Sequence, residues 1–381
     1  MNAAEIKREL GTRKPEPDNA GVGIGLGSQN RNNRIFSSSS SLCRSTKESD
    51  QLNTTLNTIA LATITSFSAH AADNILTVYT YDSFASEWGP GPAIEKAFEA
   101  QCACDLQFVA LDDGVSILNR LRLEGNNSKA DIVLGLDNNL MAEAKQTGLL
   151  ANHNVETGQV TLPGGWSDET FVPYDYGYFA FVYNKEKLAN PPKSLKELVE
   201  KRDDLKVIYQ DPRTSTPGQG LLLWIKSVYG EKANLAWQQL ANKTVTVTKG
   251  WSEAYAMFLK GESDLVLSYT TSPAYHLIAE NDAKYAAADF AEGHYMQVEV
   301  AAKVKHSDNG KLADEFMHFI LSDQFQSVMP TGNWMYPVTS VVLPKGFETL
   351  AVPSKALTFS AQEVSEMRKA WIREWQTALT F

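Results

Sequence analysis

At 381 residues, with 43% apolar and 21% charged residues, the chain is long enough for about two domains of roughly 100–200 residues each. Its balance is that of a soluble globular protein. A net charge of −10 argues against nucleic acid as the partner, and no later run nears the ~20 apolar residues of a membrane helix.

The first 72 residues stand apart. They hold five consecutive serines (Ser37 to Ser41) and the stretch GVGIGLGSQNRNNR, a composition that does not build a core. No strand precedes those glycines, so they are neither a dinucleotide fingerprint nor a P-loop. The segment ends in TIALATITSFSAHAAD. Its apolar run, Ile59 to Phe67, is too short to span a bilayer. Ala69-His70-Ala71 fits a small-residue cleavage site, which predicts a signal peptide and a mature chain starting near Ala72. The basic region before it is weak, since Glu48 and Asp50 offset Arg44 and Lys47; a flexible cytosolic tail is the alternative. Without these residues, which carry eight basic and six acidic groups, the net charge is −12.

From Asn74 onward strands and helices alternate. NILTVYTYDSF opens as an apolar strand and breaks into polar residues. The helix AIEKAFEAQC leads to the strand LQFVALDD. The helix VSILNRLRLEG stops at Gly125. ADIVLGLDNN is a strand with a polar tip, and NLMAEAKQTGLL is read as a helix. Repeated strand–helix units imply a mainly parallel sheet covered on both faces. VPYDYGYFAFVYNKEKL (Val172 to Leu188) breaks this rhythm as one long extended stretch. A second α/β run follows. It takes in a helix capped by Ser194 and Glu197, the strand KVIYQDP, a helix through Leu221, the strand TVTVT, a helix at Ser252 and the strand DLVLSY. YMQVEVAAKV (Tyr295 to Val304) is a second long strand. The last helix starts at Ser360, with Glu363 completing a capping box, and is expected to bury Val364, Met367, Trp371 and Trp375.

Two long strands joining two α/β lobes predict a hinge with a cleft between the lobes. The lobes are expected at residues 73–174 with 295–345, and 175–294 with 346–381.

Cys102 and Cys104 form C-x-C. A structural zinc site needs about four ligands, so a local disulfide or two inert thiols are the readings that remain. The six histidines are scattered without metal spacing, and no G-x-S-x-G occurs.

The segment Gln210 to Tyr275 carries the chemistry. Ser215 and Thr216 precede Pro217, which is favoured in the first turn of a helix. Such an N-terminus offers free N–H groups and a positive dipole end to an anion, or Ser215 simply caps it. The strand DLVLSY ends in Tyr269, where open α/β sheets place ligands. The pattern points to a small molecule with an anionic group and a flat ring.

LTVYTYDSFASEWGPGP, VALDDGVSILNRL, ADIVLGLDNN, FVPYDYGYFAFVYNK, VIYQDPRTSTPG, TVTVTKGWSEAY, SDLVLSYTTSPAYH and TGNWMYPV resemble the extracellular solute-binding proteins of ABC importers, type II periplasmic-binding fold, and among them the receptors for thiamine. The resemblance runs in order over about residues 75–380 and leaves out residues 1–72. It implies a monomeric periplasmic protein with no cofactor, metal or catalytic residue. Its ligand would be thiamine, thiamine monophosphate or thiamine diphosphate. Its partners would be a membrane permease and an ATPase.

By the same resemblance the binding positions fall on Asp113 and Gly114, Ser215 and Thr216, Trp251, and Tyr269, Thr270, Thr271 and Ser272. Tyr81 and Trp334 join them as cleft aromatics. Trp251 and Tyr269 would face the cationic thiazolium, and Asp113 would accept from the aminopyrimidine, balance the cation or cap its own helix. Two alternatives remain. Thiamine-degrading transferases share the fold but need a cysteine thiolate in the cleft, whereas Cys102 and Cys104 lie away from the binding motifs. A receptor for another small ligand, such as an oxyanion–metal complex, would need His, Tyr or Asp ligands converging there.

Overall fold

Apolar runs flanked by polar tips become the strands of a single twisted sheet. The computed structural model describes residues 74–380; the leader and its candidate cleavage site lie outside them. The principal strands are β1 (Ile75–Tyr81), β2 (Asp105–Leu111), β3 (Ile132–Asp137), β4 (Phe171–Asn184), β5 (Val207–Gln210), β6 (Thr244–Thr248), β7 (Leu265–Tyr269) and β8 (His294–Val304). They lie in the order β2-β1-β3-β8-β4-β7-β5-β6. Pairing is parallel within β2-β1-β3 and within β7-β5-β6. The two long strands β4 and β8 run antiparallel to each other and to their other neighbours among these eight.

That pattern makes two lobes. The first half of β4 pairs with β8, in the register Glu299 opposite Asp175 and Met296 opposite Tyr178. Its second half, Phe179 to Tyr183, pairs with β7. One apolar core gathers residues between Leu76 and Tyr174 with Met296 to Val338. A second gathers Phe179 to Tyr295 with Val364 to Ala378. Both strands therefore pass from one core to the other.

The helices that position the site are α1 (Gly91–Cys102), α2 (Gly114–Glu124), α3 (Thr216–Tyr229), α4 (Trp251–Leu259) and α5 (Ala361–Ala378). Ser215 caps α3 by accepting from the Gly218 N–H, with Pro217 in the first turn. Ser360 caps α5 by accepting from the Glu363 N–H at 3.2 Å.

Several details differ from the sequence reading. The helix read in NLMAEAKQTGLL is confined to Met141–Lys145. Helices also form over Ala233–Ala241, Pro273–Ala279 and Gly310–Phe319, the second of them directly after the hydroxyls of Thr270 to Ser272. In α5, Met367 is 41% exposed, and Arg368 takes the inward position beside Val364, Trp371 and Trp375. The stripe 364, 368, 371, 375 keeps the helical i, i+4, i+7 spacing. The Arg368 guanidinium is held by Gln219 Oε1, the Pro212 carbonyl at 3.2 Å and Glu143 at 3.5 Å. Cys102 and Cys104 form a disulfide at the end of α1.

Candidate functional site

The lobes meet at the N-termini of three helices, and one carboxylate joins them. Asp113 caps α2: its Oδ1 accepts from the Gly114 N–H at 2.7 Å. The same oxygen accepts from the Thr216 N–H at 3.0 Å, the first residue of α3. Oδ2 accepts from the Ser215 hydroxyl at 2.8 Å and from the Trp251 N–H at 3.1 Å, the first residue of α4. Three of these bonds cross between lobes. Four donors use the lone-pair sites of a carboxylate. Burial pushes the Asp113 pKa up, and the four donors oppose that push. The negative group sits where three positive helix ends converge, which stabilises it.

Gly114 allows this approach. A Cβ there would meet Thr216 Oγ1 at 2.2 Å and the Gly135 carbonyl at 2.4 Å. Gly250 does the same from the other lobe, where a Cβ would lie 2.5 Å from the Asp112 carbonyl.

Beside this junction lies a cavity of about 330 Å³, within the range of small-ligand sites. One wall is aromatic. Trp251 stacks on Tyr255, with centroids 4.9 Å apart and planes at 25°. Its Nε1–H donates to the Ser268 hydroxyl at 2.7 Å, which is bonded in turn to Ser272 Oγ. This chain fixes the indole plane. Trp88, in the turn before α1, tilts toward Trp251 at 6.3 Å. Trp334 adopts the left-handed conformation at φ 58°, uncommon for a bulky residue. It packs edge-on against Tyr275 at 5.3 Å.

The floor is polar. Glu299 Oε2 accepts from the Tyr81 hydroxyl at 2.8 Å, the Tyr174 hydroxyl at 3.1 Å and the Asn333 amide at 3.1 Å. Asn333 also donates to Asp175 Oδ2 at 2.6 Å. Burial pushes Glu299 up to about 7. Burial and the neighbouring Glu299 charge hold Asp175 well above the usual carboxylate range.

Six of the residues carried over from the resemblance line the cavity: Tyr81, Asp113, Trp251, Tyr269, Ser272 and Trp334. Gly114, Ser215, Thr216, Thr270 and Thr271 lie behind it, buried against each other and their neighbours. Trp88, Tyr255, Tyr275, Glu299 and Asn333 line it as well and were not singled out from the sequence. Tyr255 carried a signal, being four residues from Trp251 on one helix face. So did Glu299, a lone acid inside an apolar strand. Among the described residues, no three His, Cys, Asp or Glu side chains come together to hold a metal ion, and no helix is long and apolar enough to cross a membrane.

The buried acids set a pH dependence of stability. A carboxyl whose folded pKa lies above its unfolded value holds its proton longer in the folded state. Its contribution is therefore greatest at low pH and declines as pH rises toward the folded pKa. For Glu299 that window runs from about 4.5 to about 7, a loss of order 3 kcal/mol. The melting temperature of wild type is expected to fall more steeply from pH 5 to pH 8 than that of Glu299→Gln. Parallel curves from calorimetric scans would contradict this.

Two α/β lobes joined by paired long strands and meeting over an aromatic cavity define a hinged receptor for a small molecule. Residues 127–359 match the profile described as bacterial extracellular solute-binding protein. The chain is 66% identical to the thiamine-binding periplasmic protein of Salmonella typhimurium and 64% identical to that of Escherichia coli. Each match covers 81% of this chain and 94% of the relative. A solved structure described as periplasmic thiamin binding protein superposes with a TM-score of 0.79 at 65% identity, covering 80% of this chain and 96% of that one. The chain belongs to the bacterial extracellular solute-binding protein family and has its type II periplasmic-binding fold.

Proposed function

We propose that the protein is a periplasmic receptor that captures thiamine and its phosphate esters and delivers them to the permease and ATPase of an ABC importer. The observation that carries this reading is the aromatic cavity with a carboxylate on its floor, in a chain 66% identical to a thiamine-binding relative along nearly all of that relative's length. A thiazolium gains ~0.5–2 kcal/mol over an aromatic face, more as water is excluded. Trp251, Trp88 and Trp334 provide such faces, and the Glu299 carboxylate adds the opposite charge. For the esters, the support is Ser252, in the first turn of α4, which faces the ligand space beside the donors that Asp113 occupies. Binding rather than catalysis is supported by the cysteines: Cys102 and Cys104 are tied to each other, so neither supplies a thiolate. The receptor acts as a monomer.

Calorimetry with thiamine, thiamine monophosphate and thiamine diphosphate is expected to give 1:1 binding near the nanomolar range, roughly −12 kcal/mol. No heat and no change in tryptophan fluorescence with all three ligands would sink the reading.

A further inference from the structure

The floor of the cavity holds more charge than its hydrogen bonds use. Glu299 and Asp175 face each other in register on the two strands that join the lobes. All three protein donors to Glu299, from Tyr81, Tyr174 and Asn333, go to Oε2. Among the described residues, Oε1 receives none. Asp175 is wholly buried, and among the described residues its Oδ1 has no donor. Two carboxylates this close cannot both ionise without cost, so Asp175 keeps a proton and Glu299 is the member that ionises first. Among the described residues, no cation stands by to balance the pair. The surrounding groups are Tyr81 on β1, Tyr174 on β4, Tyr269 on β7, Asp113 at the start of α2 and Asn333 in the turn before Trp334, all neutral or negative. Asp137, one strand further at the end of β3, is occupied by Asn139 and the Leu140 N–H. Glu299 is the member of the pair that reaches the cavity.

We propose that Glu299 is the residue that recognises the ligand's positive charge, and that Glu299 releases its proton to solvent, while Asp175 keeps its own, when an aromatic cation fills the cavity. The inference rests on the thiamine reading and adds to it a charge sensor. A cation against Glu299 favours its ionised form and lowers its pKa from about 7. The proton passes to the buffer, and no bond of the ligand changes. Affinity therefore tightens as pH rises.

The test is calorimetry of thiamine binding at pH 7 in buffers of different ionisation enthalpy, on wild type and Glu299→Gln. Wild type is expected to release a fraction of a proton per thiamine and to bind roughly five- to tenfold tighter at pH 8 than at pH 6. Glu299→Gln is expected to bind thiamine at least tenfold more weakly, with no proton release and no pH dependence. Thiochrome, the uncharged fused-ring oxidation product of thiamine, should bind wild type and Glu299→Gln alike. Two results would overturn the inference: wild type binding thiamine with no proton exchange between pH 6 and 8, or Glu299→Gln weakening both ligands equally. Wild type that binds no thiamine would instead fail the functional reading. The pair would then be judged with N-methylpyridinium as the probe, the same outcomes applying.

Discussion

Asp113→Ala is expected to weaken thiamine binding by two to three orders of magnitude while both lobes stay folded. The carboxylate accepts four hydrogen bonds, and those from Ser215, Thr216 and Trp251 cross between lobes. A hydrogen bond to a charged group contributes about 1.5–3 kcal/mol. The cost of burying the carboxylate offsets part of that sum, as its raised pKa shows. A net of about 3–4 kcal/mol for the closed arrangement remains, which corresponds to the stated loss in Kd. Removing the charge also leaves three positive helix ends facing one another. Asp113→Asn keeps the shape but turns an N–H toward the Ser215 and Trp251 donors, so it should fall between wild type and alanine. Calorimetric Kd values for the three proteins, with melting curves to confirm folding, are the measurement. An alanine variant binding within threefold of wild type would show that this junction does not hold the lobes together.

The role of Asp113 marks where sequence reading stops. The LDDG turn and the helix after it are legible, because an acid before an apolar-periodic run is a local signal. That the same carboxylate also joins the first turns of α3 and α4, 103 and 138 residues away, is set by tertiary packing and has no local signature. β4 and β8 were readable as long strands because their aromatic and β-branched residues outweigh the breakers Pro173 and Gly177 of β4; the register shift beside Pro173 was not readable. The helix Pro273–Ala279 was not, because the hydroxyls before it suit a loop equally well. Met367 and Arg368 show a related limit. Both lie near the apolar edge of α5, and hydrophobicity favours methionine. The buried acceptors at Gln219, Pro212 and Glu143 draw the arginine inward instead, and they belong to other elements. Trp251 and Tyr269 stood out by motif. Trp88 and Glu299 reach the same cavity only once the lobes are in place.

Gly250→Ala is expected to lower affinity for thiamine about a hundredfold without changing the stability of either lobe. The glycine is extended, at φ −143° and ψ 175°, a conformation any residue adopts, so alanine brings no backbone strain. The obstacle lies across the junction. The new methyl would sit 2.5 Å from the Asp112 carbonyl oxygen and 3.5 Å from Asp113 Oδ2. That carbonyl is backbone and has no rotamer to yield, so the lobes must part. Overpacking of this kind costs about 1–3 kcal/mol. Parting also stretches the bond from the Trp251 N–H to Asp113, now 3.1 Å, which brings the total to about 3 kcal/mol. Gly114→Ala would be a less clean probe, because its methyl also strikes the Gly135 carbonyl within its own lobe. Small-angle scattering with saturating thiamine should show a larger radius of gyration for Gly250→Ala than for wild type, with the melting curves of the two proteins coincident without ligand. Because the methyl touches only the opposite lobe, equal affinity and equal compaction would mean that the lobes bind thiamine without approaching this closely, and that Asp113 and Trp251 are not in contact in the complex.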